Sequence, residues 1–192
     1  VATVRNARGT SHPNPISIAK HVMKCGAHSI TIHLREDRRH IRDQDVVEIC
    51  RNKKIITNLE ISLNDKIVKI ALKNKPNFIC IVPEKRKEIT TEGGLNLSKN
   101  SNKIKKIIKK FKKQKIRTSL FINPNLKDVK IAKELDADCI ELHTGKISDL
   151  IKRKKNYIQE YKKIKKCCEA AKKIGLEVHA GHGLDYKTTA IL

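Results

Sequence analysis

The chain has 192 residues, 39% of them hydrophobic and 33% charged, with a formal net charge of +23. That length lets one domain bury a core, and the longest apolar runs are far below the roughly 18 residues of a membrane-spanning helix, so a span of that kind is excluded here. The opening Val1-Ala2-Thr3-Val4-Arg5 carries no basic-then-apolar leader and no initiator Met, so we expect neither secretion nor an organelle transit peptide and read the N-terminus as missing.

β-type runs and helix-type periodic stretches alternate along the chain, which predicts a parallel sheet with helical crossovers. A helix over about 15–25 precedes a strand over 29–34. Helix 42–52 then precedes strand 55–61, helix 64–74 precedes strand 78–82, and helix 101–114 precedes strand 117–122. Helix 125–136 leads to strand 139–142, and a stretch over 148–174, long enough for a helix plus a short extra element, leads to strand 177–180. Asn64, Asn100 and Asn125 stand where N-caps belong. Residues 103–115 hold eight Lys and no acid, yet Ile104, Ile107, Ile108 and Phe111 recur at helical spacing. We read an apolar stripe packed on the sheet with the lysines as its solvated face. Nothing marks a domain boundary.

Lys supplies 33 of the 43 basic residues and Ile 27 residues of the chain, beside three Phe, three Tyr and no Trp. Lys, Ile and Asn follow AT-rich codons, so genome composition explains much of the charge. A nucleic-acid surface would normally add aromatic stacking platforms, so we expect no specific nucleic-acid partner and no membrane partner. The six cysteines form no Cys-x-x-Cys pair, which disfavours structural zinc or a redox dithiol and points to a reducing cytoplasm.

Ionisable residues gather at the C-terminal ends of the predicted strands: His33 and Arg35, then Glu60, then Glu84, then Glu141 and His143, then His179 and His182. Chemistry drawn from many strand ends is the habit of a (β/α)8 barrel, which we favour over an open doubly wound sheet with its Gly-rich first loop. Strand alternation puts His33 and Arg35 on one side, a candidate base beside a candidate phosphate clamp. Glu60 and Glu141 would point into a crowded mouth, where a raised pKa suits proton transfer, or else serve as ion-pair partners. Ala180-Gly181-His182-Gly183 frees a His between two glycines, and 83–94, with Thr90, Thr91 and Gly93-Gly94, reads as a mobile lid able to hold an anion.

Five motifs, in order and across nearly the whole chain, resemble the pyridoxine 5′-phosphate synthase family: Arg5-Asn6-Ala7-Arg8-Gly9-Thr10, the run from His33 to His40, Val82-Pro83-Glu84-Lys85-Arg86 with Thr90-Thr91-Glu92-Gly93-Gly94, Glu141-Leu142-His143-Thr144-Gly145, and Ala180-Gly181-His182-Gly183-Leu184. The resemblance implies a TIM barrel that condenses 1-deoxy-D-xylulose 5-phosphate with 3-amino-2-oxopropyl phosphate in vitamin B6 synthesis, without cofactor or metal, as a cytoplasmic homo-octamer. By the same resemblance His33 and Glu60 are proton acceptors, His182 is a proton donor and Glu141 stabilises the transition state. Arg35, His40 and Thr90 would hold deoxyxylulose phosphate, while Arg8 and Gly183 would hold the amino-ketone phosphate.

The family's first strand, with its Asn-x-Asp-His motif, and its last strand have no counterpart in these residues. The expectation is therefore a single partial barrel domain over 1–192, containing strands two to seven and inactive alone. Two alternatives stand beside this reading. One is a metal-dependent barrel hydrolase, weakened by the lack of any His-x-His, and the other is a non-catalytic scaffold for polyanions.

Overall fold

The computed structural model describes residues 1–84 and 93–192. Thr90, with Lys85, Arg86 and Thr91 of the anticipated lid, lies outside the described residues. The elements run α1 (Ala2–Arg8), α2 (Pro15–Lys24), β1 (Ile30–His33), α3 (Asp43–Arg51), β2 (Thr57–Ile61), α4 (Asp65–Asn74), β3 (Phe78–Ile81) and α5 (Leu97–Lys113). They continue with β4 (Arg117–Ile122), α6 (Leu126–Glu134), β5 (Cys139–His143), α7 (Gly145–Lys152), α8 (Ile158–Lys173), β6 (Glu177–Gly181) and α9 (Tyr186–Ile191).

All six strands are parallel and lie in chain order, β1 beside β2 through to β6. A doubly wound sheet would reverse direction at a switch point, and this one never does. The sheet is that of an incomplete (β/α)8 barrel. Alternation sorts its two faces. Ile32, Leu59, Ile61, Ile79, Ile81, Leu120, Ile140 and Leu142 point outward into one core with Ile67, Ile104, Ile108 and Phe111 of the helices. Their neighbours His33, Glu60, Cys80, Phe121, Glu141 and His143 therefore face the interior. The stripe Ile104, Ile107, Ile108 and Phe111 on α5 is buried while Lys103, Lys105, Lys106, Lys109 and Lys110 are exposed, as the periodicity predicts.

Two local features differ from the sequence reading, and a third makes one of its expectations specific. The N-cap of α5 is Asn96, whose side chain accepts from the Lys99 amide at 3.0 Å, and Asn100 lies one turn inside the helix. Leu97 is fully buried, so the apolar stripe begins two turns before Ile104 and the helix starts with it. The stretch 148–174 is two helices: Lys154 at φ 53° and a bond from the Lys155 amide to the Leu150 carbonyl close α7, and Asn156 opens α8 by accepting from the Ile158 amide. Helix α1 carries no apolar stripe. Its buried anchor is Arg5, which forks onto both carboxylate oxygens of Asp45 at 2.5 and 2.9 Å.

Candidate active site

His33 ends β1 and Glu60 is its partner on β2 in the parallel register, which brings Nδ1 of the imidazole to 3.5 Å from Oε2 of the carboxylate. On the other side, Glu84, three residues past the end of β3, sets its Oε2 3.7 Å from His33 Nε2. One imidazole thus stands between two carboxylates with opposite protonation tendencies. Burial raises the Glu60 pKa, with the charges of His33 and His182 only partly opposing it. Burial works against ionisation of Glu84 as well, but the His33 imidazole 3.7 Å away, a hydrogen bond from the Glu36 amide (2.8 Å) and nearby Arg35 hold its carboxyl below the ordinary value. Flanking carboxyls pushed apart in this way divide acid and base duties.

Glu141 enters the interior from β5. Its pKa is raised to about 7, first by burial and then by the charge of Glu60. Cys80 donates its thiol to Glu141 Oε2 at 3.7 Å. In the ladder Cys80 is level with Cys139, two residues short of Glu141, so this approach reflects the strand tilt and stagger that curl a sheet toward a barrel. Gly181 leaves room opposite, because a Cβ there would fall 2.1 Å from Glu141 Oε1 and force the carboxyl to move.

A carboxyl whose folded-state pKa lies above its unfolded value costs stability as it ionises, so this contribution falls as pH rises from about 4.5 through about 7. Glu141→Gln removes that loss. The variant should gain about 2 kcal/mol on the native protein between about pH 5 and about pH 8, the full shift being discounted for partial access to water. Urea midpoints at the two pH values check this, and a pH-independent difference would refute it.

His182 stands just past β6 at φ 83° and stacks on His143, ring centroids 4.8 Å apart. Next to it Gly183, at φ 75°, would place a Cβ 3.4 Å from the Gly145 Cα, and its carbonyl accepts from Lys152 Nζ at 2.7 Å. Arg35 is buried, with Nε 3.7 Å from Asp37 Oδ1 and 3.7 Å from Glu84 Oε1. The His40 ring centroid lies 6.0 Å from that of His33, and its Nδ1 accepts from the Ile41 amide at 2.9 Å. Burial, then the charges of His33 and Arg35, lower the His40 pKa. Its backbone is tied to α1, since the His40 carbonyl accepts from Arg5 Nη2 at 3.0 Å and Asn6 Nδ2 at 2.8 Å.

The structure therefore gathers His33, Glu60, Glu141, Arg35, His40 and His182 around one end of the sheet. Arg8 is exposed in the last turn of α1, and among the described residues it makes no hydrogen bond or ion pair with any of these. Sequence reasoning placed Glu84 both among the strand-end ionisable groups and at the start of a lid, and gave it no partner, whereas its side chain, 2% exposed, lies against His33. Its place three residues past a strand end was the signal, and the contact with His33 is what the sequence did not show. Phe121, edge-on to both His143 and His182, was missed too. An open cleft of about 590 Å³ on the inner face of the sheet adjoins Glu141, lined also by Thr31, Asn58, Ser119 and His179.

Comparison with known proteins bears on what this arrangement does. The family model described as "Pyridoxal phosphate biosynthesis protein PdxJ" matches residues 1–192. The pyridoxine 5′-phosphate synthase of Pelagibacter ubique (strain HTCC1062) is 76% identical over 192 residues, covering 100% of this chain and 80% of its own length. That of Blochmanniella pennsylvanica (strain BPEN) is 48% identical over 186 residues, 97% of this chain and 76% of that protein. Among solved structures, the Bacillus subtilis HMG-CoA lyase aligns with a TM-score of 0.53 at 13% identity, over 86% of this chain and 68% of its own. A D-psicose 3-epimerase aligns with 0.51 at 11%, over 92% and 85%. The last two likenesses concern the fold alone.

Proposed function

We propose, from the premise that this chain belongs to the PdxJ family of pyridoxal phosphate biosynthesis proteins, that it works as a pyridoxine 5′-phosphate synthase. In this reading it condenses 1-deoxy-D-xylulose 5-phosphate with 3-amino-2-oxopropyl phosphate, giving pyridoxine 5′-phosphate, inorganic phosphate and water. The observation that carries it is the imidazole of His33 set 3.5 Å from Glu60, with a second raised carboxyl, Glu141, at the same end of the sheet.

The substrate's own amine adds to the sugar ketone to form an imine, so no Schiff-base Lys is needed. The later steps are proton transfers, loss of phosphate and ring closure. His33 and Glu60 accept protons, for which a carboxyl raised toward neutrality is well matched. His182 donates a proton to a leaving oxygen. Glu141, close to Glu60 in the interior, stabilises developing positive charge when ionised. Arg35, His40 and Thr90 hold the deoxyxylulose phosphate, and Arg8 and Gly183 hold the amino-ketone phosphate. Buried Arg35 offers a planar fork suited to phosphate oxygens.

We extend the reading to residues 1–192 as one partial barrel domain within a homo-octamer, as in the family it resembles. Six free thiols support a reducing cytoplasm as the compartment. Among the described residues no helix is long and apolar enough to cross a membrane.

Incubating the full-length protein with both phosphorylated substrates, without added metal or cofactor, tests the proposal. Pyridoxine 5′-phosphate detected by mass, with matching phosphate release, is the expected result. Absence of both products would overturn it.

A further inference from the structure

We propose that His143, seconded by Thr144, is a positioning residue for His182, holding the ring and backbone of that group in the orientation from which it delivers a proton. This rests on the reading of His182 as proton donor.

The backbone of His182 needs holding. At φ 83° it occupies the left-handed region that a residue with a Cβ adopts only when its surroundings impose it. The imposition comes from the turn between β5 and α7. Thr144 is fully buried, and its Oγ1 lies 2.6 Å from the Gly181 carbonyl and 2.8 Å from the His182 carbonyl. Its amide donates to the Gly181 carbonyl at 2.8 Å. One residue of β5's exit therefore grips both of the peptides that flank the His182 Cα.

The ring is held separately. His143 and His182 lie 4.8 Å apart at an interplanar angle of 25°, a stacked pair. Phe121 of β4 meets His143 edge-on at 5.3 Å and 82°, and His182 at 6.3 Å and 61°. Three rings from three neighbouring strands or their exits pack as one group, in the offset and edge-on arrangements that aromatic rings prefer. Gly145 makes room for it: a Cβ there would stand 2.8 Å from His143 Cε1 and 3.0 Å from His182 Cδ2.

His143 is poorly suited to be a proton carrier itself. Its Nε2 is buried and, among the described residues, has no hydrogen-bond partner. Burial, and then the charge of His182, lower its pKa, with Glu160 of α8 opposing. A ring held neutral beside the donor does not compete with it, and the charge of His182 is felt by Glu60 of β2.

His143→Ala, His143→Phe and Thr144→Val in the full-length protein test this. His143→Ala should lower kcat about 10- to 100-fold with KM changed less than about twofold, since a misdirected group slows the chemistry more than binding. His143→Phe keeps a flat ring and should recover most of that loss. Thr144→Val keeps the side-chain shape and should lower kcat about 10-fold by releasing the backbone. In proton NMR the His182 ring signals, displaced by the neighbouring ring currents, should move in His143→Ala and stay displaced in His143→Phe.

Unchanged kcat in His143→Ala, equal losses in the Ala and Phe variants, a change confined to KM, or unmoved His182 signals would each overturn the proposal. Should the native protein make no product, the proposed activity falls, while the ring signals still decide whether His143 holds His182.

Discussion

Glu60→Gln is expected to lower kcat by about 10²- to 10⁴-fold with both substrates saturating, the range that removal of one positioned acid or base produces. The amide retains the size of the carboxyl, so the loss isolates proton acceptance from packing. His33→Ala should fall in the same range and carry a further signature. It removes the imidazole between Glu60 and Glu84, leaving two buried carboxylates facing a gap and shifting the pH–rate profile as they titrate together. Because the two residues touch, the double variant should lose far less than the product of the single losses. Steady-state kinetics of the three variants check this. Turnover within threefold of the native protein for either single variant would remove the pair from the chemistry.

The second large effect concerns stability. Asp45→Ala is expected to destabilise the protein by about 3–5 kcal/mol, because it strips the partner from a buried guanidinium. Arg5 and Asp45 have side chains only 7% and 10% exposed. Asp45 also accepts from the Arg42 amide at 2.8 Å, so the first turn of α3 loses its cap at the same time. A urea midpoint measures the loss, and a change below about 1 kcal/mol would show that water reaches the pair freely. Arg5→Met with Asp45→Leu should recover much of the stability, since breaking a buried pair costs more than replacing it by apolar groups. Turnover would not recover with it, because Arg5 also binds the His40 carbonyl.

Much of this molecule was legible in its sequence. The alternating strands were plain because β1 to β5 each send Ile or Leu outward every second residue, and that alternation also placed His33, Glu60 and Glu141 on the inner face. Chain-order topology came from the repeating strand–helix pattern and from ionisable groups at several strand ends. Helix α1 was not legible, since a seven-residue helix anchored by an arginine has no hydrophobic period to detect. Asn100 was a plausible cap by composition, and only the burial of Leu97 moves the start to Asn96. The chemistry of pairs was harder still. That Glu84 meets His33, or that His143 stacks on His182, depends on register and strand tilt, and nothing local to either residue encodes it. Arg8 was named on resemblance and is exposed on α1.

Cys80 gives the interior an optical consequence. Its thiol is fully buried, its pKa is pushed up by burial and by the charges of Glu141 and Glu60, and it therefore stays protonated while pointing at Glu141 Oε2. The S–H bond vibrates in a spectral window where proteins are otherwise almost transparent, and its frequency falls as the acceptor gains negative charge. The protein thus carries an internal gauge of the charge on one of its own carboxyls, readable by infrared difference spectra without label or substitution, as pH is changed or substrates arrive.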